Sequence, residues 1–358
     1  MKFVFTGGGT LGHIYPSFPV IKRLKEEGNE VYFIGGKRQN EEELLMKNDD
    51  IDNVYLIDLQ GFKRKISLYN FVTIKKYFKA LKITKKIISE INPDVVIGMG
   101  GYVSAPVLKV ANKMKIKTLI HEQNSVYGLV NNIFKKKVDK VLLAYDIEKG
   151  KKIELVGNPR TSEFLEKYKE IVNKKTMFRN KVLVVGGSLG AEKINNFFIE
   201  KKNEFKKRNI EIILITGKKY YEENKELIEQ NNSYPLTIIP FSNQINELMI
   251  DAKMVVSRSG ATTISELLGL NKVALFIPSP NVTNNHQYKN ARYYVDKKCA
   301  FLIEENDIED KLFRKIIEIL SDENIQKRIK KNINNTIIKD STERFYKEII
   351  KVVRDKNG

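Results

Sequence analysis

Two glycine-rich loops, G-G-G-T-L-G at residues 7–12 and G-G-S-L-G-A at residues 186–191, are built to meet phosphate. Each follows a short apolar run and opens into a helical pattern. A strand–glycine loop–helix unit gathers unpaired backbone N–H groups and the positive end of a helix dipole at one spot, where a phosphate binds. Two such loops about half the chain apart predict twin nucleotide-type folds facing each other across a cleft. A third segment, S-R-S-G-A-T-T-I-S-E at residues 257–266, has the same character. There Gly260 relieves the turn, Ser259, Thr262 and Thr263 set hydroxyls beside the N–H groups of a helix start, and Glu266 can accept from ribose hydroxyls. The same residues also read as plain helix caps, with Glu266 favouring the dipole.

The chain has three histidines, and each falls in such a loop. His13 closes the first glycine loop, His121 opens H-E-Q-N-S, and His286 sits in N-N-H-Q-Y-K-N. All three lie near the carboxyl ends of expected strands, where ligands bind in open α/β sheets. Satisfied structural histidines are the alternative for each. A metal centre fits less well, because there is no H-x-x-x-H pair and no cysteine partner. The loops G-M-G-G-Y-V-S-A-P (98–106) and H-E-Q-N-S-V-Y-G-L-V-N-N (121–132) add glycines that admit a ligand to the backbone and amides that suit sugar hydroxyls. Either could equally be a tight turn.

Strands are expected at Phe3–Thr6, Val31–Ile34, Val54–Asp58, Val95–Gly98, Thr118–His121 and Val141–Ala144, with helices between them such as Pro16–Glu27, Phe71–Ile91 and Ala105–Lys113. The pattern restarts with strands at Val182–Val185, Ile210–Thr216, Leu236–Ile239, Met254–Ser257 and Val273–Ile277. Short apolar runs alternating with longer periodic ones indicate parallel sheets wrapped by helices, an α/β chain of two domains. The turn-forming Gly157-Asn158-Pro159 marks the join. Domains are expected over residues 1–160 and 161–340, with a C-terminal helix over 341–358 packing back on the first.

At 358 residues and 42% hydrophobic, the chain can fill two cores. No stretch reaches the roughly 20 apolar residues needed to cross a bilayer. The N-terminus runs straight into a strand, unlike a secretion signal, and the single Cys299 allows no internal disulfide, so a cytosolic address is expected. A Rossmann dehydrogenase would want G-x-G-x-x-G and an acidic end to the second strand, which here runs into Gly35-Gly36-Lys37-Arg38. A P-loop ATPase would want G-K-[ST], which neither loop has.

Lys and Arg outnumber Asp and Glu by 63 to 44, a net charge of +19, which suggests nucleic acid or an anionic membrane as partner. From Phe62 to Ser89 the bias is complete, with nine basic residues and no acidic one. Lys63, Arg64, Lys65, Lys75, Lys76, Lys79 and Lys82 interleave there with Phe71, Ile74 and Phe78. Part of this helix must pack on the sheet. An all-positive face beside aromatics fits docking on anionic lipid, at about 1 kcal/mol per basic residue near the surface. Lipid is preferred to nucleic acid because the loops elsewhere read as a nucleotide-sugar site.

Taken together, G-G-G-T-L-G-H-I-Y-P, G-M-G-G-Y-V-S-A-P, H-E-Q-N-S, G-N-P-R, V-V-G-G-S-L-G-A, S-R-S-G-A-T-T-I-S-E and H-Q-Y-K-N-A occur in one order, and the chain resembles the MurG family nearly end to end. That family adds N-acetylglucosamine to lipid I in peptidoglycan synthesis. The resemblance implies two Rossmann-like domains of the GT-B type, the acceptor and membrane on the first and the UDP-sugar on the second. It implies that Ser188 and the turn Ser259, Gly260, Ala261, Thr262 and Thr263 hold the diphosphate. Glu266 would hold the ribose, Ser242 would lie by the uracil, and Gln287 and Asn290 would read the sugar. Thr10, Leu11, Gly12, Asn124 and Arg160 would line the donor cleft from the first domain. The basic-aromatic stretch resembles the family's docking surface at the cytoplasmic face of the cell membrane, and other cell-wall synthesis proteins are candidate partners. Three positions depart from the family pattern: Leu11 replaces a glycine, Leu189 a glutamine, and Tyr127 a frequent proline.

The expected reaction is an inverting, metal-independent transfer from UDP-N-acetylglucosamine to the 4-hydroxyl of the muramyl sugar, with no cofactor. Its barrier lies in an oxocarbenium-like state with charge developing on UDP. His13 is the expected base, because its ordinary pKa lies near working pH, and Glu122 is the rival. A related transferase acting on diacylglycerol, or a non-catalytic nucleotide-sugar or anionic-lipid binder, remain the alternatives.

Overall fold

A computed structural model describes residues 1–61, 68–174, 180–186 and 191–355. The chain divides into two compact units, Met1–Glu163 with Ile338–Gly358, and Phe164–Ile337.

The first unit is a seven-stranded sheet: β1 (Lys2–Thr6), β2 (Glu30–Gly36), β3 (Asn53–Ile57), β4 (Val95–Gly98), β5 (Lys117–Glu122), β6 (Lys140–Leu143) and β7 (Ile153–Leu155). The order is β3-β2-β1-β4-β5-β6-β7, and every pairing is parallel. Helices cover both faces, so the strands are apolar on both sides instead of alternating. In β1, Phe3 and Phe5 enter one core while Val4 enters the other. Helix Ser341–Arg354 closes the first of these cores with Phe345, Ile349, Val352 and Val353. It lies against helix Phe18–Glu26, fastened by Arg23 to Glu343 at 3.1 Å and by the Arg23 guanidinium 4.5 Å over the Tyr346 ring.

The second unit repeats the plan: β8 (Lys181–Val185), β9 (Glu211–Ile215), β10 (Leu236–Ile239), β11 (Met254–Ser257), β12 (Ala274–Phe276) and β13 (Phe301–Leu302). Its order is β10-β9-β8-β11-β12-β13, again all parallel. Its single core joins Val182, Leu183, Val184, Phe197, Phe198, Phe205 and Val255. Both sheets therefore have the Rossmann order, which is the fold class expected. In each, the strand order reverses beside the first strand, between β1 and β4 and between β8 and β11. A crevice opens at such a reversal, outside the carboxyl ends of the strands. The motif loops after β1, β4 and β11 lie at these two reversals, and most of the loop after β8, residues 187–190, lies outside the described residues.

Candidate functional site

In the first unit, the loops after β1 and β4 interlock. Gly101, in the loop after β4, has φ +78°, and a Cβ there would stand 1.8 Å from the Gly8 carbonyl oxygen. Thr10–His13 form a tight turn, with the His13 N–H donating to the Thr10 carbonyl at 3.1 Å. The Thr10 hydroxyl lies 3.1 Å from His13 Nδ1 and sets the rotation of the ring, which packs against Gly100. Leu11, Gly12 and His13 are half-buried and Thr10 is exposed.

Two residues that the motifs do not mark hold this loop from the side. Glu41 is buried in the first turn of helix Gln39–Met46, and its Oε1 accepts the Gly9 N–H at 2.9 Å. Arg38 donates from Nη1 to the Gly9 carbonyl at 3.0 Å and lies 5.4 Å over the Tyr102 ring. Burial pushes the Glu41 carboxyl up, against the opposing pull of Arg38 and the Gly9 N–H.

The loop after β5 is organised by a buried carboxylate. Glu122 Oε1 accepts from the Asn124 backbone and side-chain amides, both at 3.1 Å, and Oε2 accepts from the Gly128 N–H and Asn131 Nδ2, both at 2.9 Å. Both oxygens are occupied, so Glu122 shapes the loop. Burial pushes its carboxyl up, with these donors pulling it down. His121 is fully buried and structural: Nε2–H donates to the Gly157 carbonyl at 3.0 Å, Nδ1 accepts from Gln123 at 3.1 Å, and the ring packs 5.0 Å from Phe345. Position at a strand end thus did not make this histidine a ligand group.

Desolvation pushes the His121 pKa down to about 4, from an ordinary 6.5. A depressed histidine favours the folded state while the ring is neutral. Its contribution is complete above about pH 6.5 and is lost as pH falls through the folded pKa near 4. The first unit is expected to lose about 3 kcal/mol of unfolding free energy between pH 7.5 and 4 from this group. Urea titrations of the full chain and of His121→Gln, which cannot titrate, check this; equal acid dependence in the two would contradict it.

Arg160 follows the turn after β7. It is largely buried, paired with Glu163 at 2.6 Å, and its guanidinium lies 5.1 Å over Tyr15, two residues beyond His13. The Asn158 side chain accepts the Arg160 N–H at 3.1 Å.

In the second unit, β11 leads through Arg258-Ser259-Gly260 into helix Ala261–Gly269. No side chain caps this helix. Ser259 is fully buried and donates to the Gln287 carbonyl at 2.9 Å, and Ser265 donates to the Ala261 carbonyl at 2.8 Å. The first intrahelical bond runs from the Ile264 N–H to the Gly260 carbonyl at 3.0 Å. The N–H groups of Ala261, Thr262 and Thr263 precede it and have no partner within the helix. A Cβ on Gly260 would meet nothing within 4 Å, so the helix start faces open space. The structure thus departs from the helix-cap alternative: the Ser259 hydroxyl ties the turn to Gln287, Ser265 bonds back within its own helix, and the turn presents backbone donors with the positive half-charge of the dipole.

Gln287 and Asn290 lie on helix His286–Asp296. The Gln287 Oε1 accepts the Ser279 N–H at 2.9 Å, and Asn290 is fully buried. Arg258, absent from the expected site, donates to the carbonyls of Ile277 and Pro278, both at 3.1 Å, and pairs with Glu305, fixing the loop after β12. His286 Nδ1 lies 2.8 Å from the Thr283 carbonyl. Ser242 accepts the Gln244 N–H at 3.0 Å in the turn after β10. Glu266 is half-buried on the second turn of its helix. Ser188 and Leu189 lie outside the described residues.

Helix Leu68–Ile91 turns Thr73, Ala80, Thr84, Ile87 and Ile88 inward. Phe71 and Phe78 are 66% and 61% exposed, and Ile74, Lys75, Lys79 and Lys82 are also exposed. Lys76 pairs with Asp58 at 2.7 Å, so its charge is partly balanced from outside the basic stretch. Lys63, Arg64 and Lys65 lie outside the described residues. Among the described residues no helix is long and apolar enough to cross a membrane, and no cluster of three His, Cys, Asp or Glu side chains is placed to hold a metal ion.

Residues 3–143 match the glycosyltransferase family 28 N-terminal domain, and residues 181–345 match the C-terminal domain of the same family. A protein of Bacillus cereus named UDP-N-acetylglucosamine--N-acetylmuramyl-(pentapeptide) pyrophosphoryl-undecaprenol N-acetylglucosamine transferase 1 is 38% identical over 365 aligned positions, covering 99% of this chain and all of that one. A transferase of the same description from Lactococcus lactis subsp. cremoris is 37% identical over 336, covering 91% and 92%. Among solved structures, Acinetobacter baumannii MurG shares the fold with a TM-score of 0.76 at 23% identity, over 98% of this chain and 99% of that one. With both family domains matched in order and relatives aligned from end to end, this chain belongs to glycosyltransferase family 28, among its MurG-type N-acetylglucosamine transferases.

Proposed function

We propose that this chain transfers N-acetylglucosamine from UDP-N-acetylglucosamine to the 4-hydroxyl of the muramyl sugar of lipid I, with inversion, to form lipid II. The full-length likeness to the Bacillus cereus transferase is the observation that carries this reading.

The second unit holds the donor. The backbone donors at Ala261, Thr262 and Thr263, with Ser259 and Gly260 shaping the turn, receive the diphosphate together with Ser188. Glu266 takes the ribose, Ser242 the uracil edge, and Gln287 and Asn290 the sugar. Thr10, Leu11, Gly12, Asn124 and Arg160 are the first unit's contribution to donor binding. As the anomeric C–O bond breaks, its electron pair leaves with UDP. Preorganised N–H groups and a helix dipole stabilise that charge, at about 10²–10³ in rate for one well-aimed donor. The acceptor oxygen bonds to the anomeric carbon from the opposite face, and its proton passes to His13. Glu122 is disfavoured as base because four donors already fill its oxygens.

Phe71, Phe78 and the lysines at 75, 76, 79 and 82, together with Lys63, Arg64 and Lys65 of the same basic stretch of sequence, dock the first unit on the anionic cytoplasmic face of the membrane, where lipid I is presented. Exposed aromatics beside basic residues support this, since each insertion and each charge adds to binding.

Transfer of labelled N-acetylglucosamine to a lipid I analogue, with EDTA present, tests the reaction. Disaccharide product unaffected by EDTA is the expected result. Product on diacylglycerol instead would overturn the acceptor, loss with EDTA would overturn metal independence, and donor binding without turnover on either lipid would leave a binding protein.

A further inference from the structure

Glu41 belongs to no recognised motif of this chain, and its setting is unusual. It follows Arg38-Gln39-Asn40 in an acidic run with Glu42 and Glu43, which reads as the solvated start of a helix. Yet its side chain is 3% exposed, under the first glycine loop. Oε1 takes the Gly9 N–H, while Oε2 is buried with no hydrogen-bond partner. Space for it is made by two glycines: a Cβ on Gly8 would stand 2.7 Å from Oε2, and one on Gly36 3.0 Å. Burying a carboxyl with one oxygen unmatched lowers stability, so stabilising the fold is not what this side chain is suited to do.

Its one bond falls where it counts. Gly9 has φ +89° and no side chain to anchor it, and a Cβ there would run into the Tyr102 ring at 2.8 Å. The residue is held by its own two polar groups, the N–H by Glu41 at 2.9 Å and the carbonyl by Arg38 at 3.0 Å. The next residue is Thr10, whose hydroxyl orients the His13 ring. We propose that Glu41, with Arg38, is a positioning residue for the transfer reaction: it fixes the Gly9 peptide so that Thr10 and His13 stand in one geometry. This rests on the reading of His13 as the base.

The test is steady-state transfer to a lipid I analogue by the full chain, comparing Glu41→Ala, Glu41→Gln, His13→Ala and the double variant Glu41→Ala/His13→Ala. Glutamine keeps an acceptor for the Gly9 N–H; alanine does not. Glu41→Ala is expected to lower kcat by about 10–100-fold, the loss that follows from a small misplacement of a reacting group. KM for UDP-N-acetylglucosamine should stay within about twofold, because that substrate is held chiefly elsewhere. Glu41→Gln should recover to within about threefold of the parent. The double variant should fall no more than about threefold below His13→Ala, because residues acting through one group are not additive. Parent-like kcat in Glu41→Ala, no rescue by glutamine, or kcat losses that multiply in the double variant would each overturn the positioning role. Should His13→Ala itself keep the parent rate, the base assignment fails, and it does so in a variant where Glu41 is intact.

Discussion

His13→Ala is expected to lower kcat for transfer to lipid I by about 10²–10⁴-fold, the usual contribution of a positioned general base. KM for UDP-N-acetylglucosamine should hardly move, because the donors proposed for the diphosphate are backbone N–H groups of the other unit. Thermal unfolding should change little, because the ring is only half-buried. His13→Gln separates the two roles of the ring: glutamine can hydrogen-bond to Thr10 but cannot take a proton at neutral pH. Both variants should therefore be slow. A glutamine variant within a few-fold of the parent would mean that the ring only positions the loop.

Gly101→Ala should be the most damaging methyl group in the first unit. The new Cβ would meet the Gly8 carbonyl oxygen at 1.8 Å and its carbon at 2.9 Å, with His13 Nδ1 at 3.2 Å. Backbone cannot yield as a flexible side chain does, and φ +78° adds about 1–2 kcal/mol for any residue with a Cβ. Relief requires the loop after β4 to leave the loop after β1. We expect a stability loss of about 2–4 kcal/mol. Transfer should fall by more than about 100-fold, because the displaced loop carries His13. Differential scanning calorimetry and the transfer assay check both. Gly150→Ala, whose Cβ would come no nearer than 3.4 Å to the Ile153 side chain, is the matched control and should be close to neutral.

The sheets were largely legible because a parallel strand covered on both faces must be a short, dense apolar run. β4, β10 and β11 fall at the expected bounds, and most others lie within a residue or two. β7 and β13 went unseen. They have three and two residues, lie at sheet edges, and Ile153–Leu155 is at best half-buried, so the usual apolar signal is absent. The loops were legible as loops, but the roles inside them were not. His121 and His13 look alike in sequence, and only packing against Phe345 and Gly157 separates a buried tie from a half-exposed ring. Nothing distinguishes Glu41 from Glu42 or Glu43 along the chain. The difference is one of helix phase, since only position 41 points at the glycine loop. The exposed Phe71 and Phe78 needed the structure for the converse reason: their spacing equally suits an inward face, and Thr73, Ala80 and Thr84 turned out to occupy it.

Helix Ser341–Arg354 belongs to the first unit although it follows the second in the chain, and this sets an order for synthesis. The second unit is one continuous segment, Phe164–Ile337, and can close on itself as soon as that segment leaves the ribosome. The first unit cannot. One face of its sheet lacks Phe345, Ile349, Val352 and Val353 until helix Ser341–Arg354 has been made, roughly 10–40 s after the unit's own strands at ordinary elongation rates. Meanwhile Phe3, Phe5 and Phe33 line a face that is not yet fully covered, and a chain stalled before Ile338 carries a finished second unit and an unfinished first one.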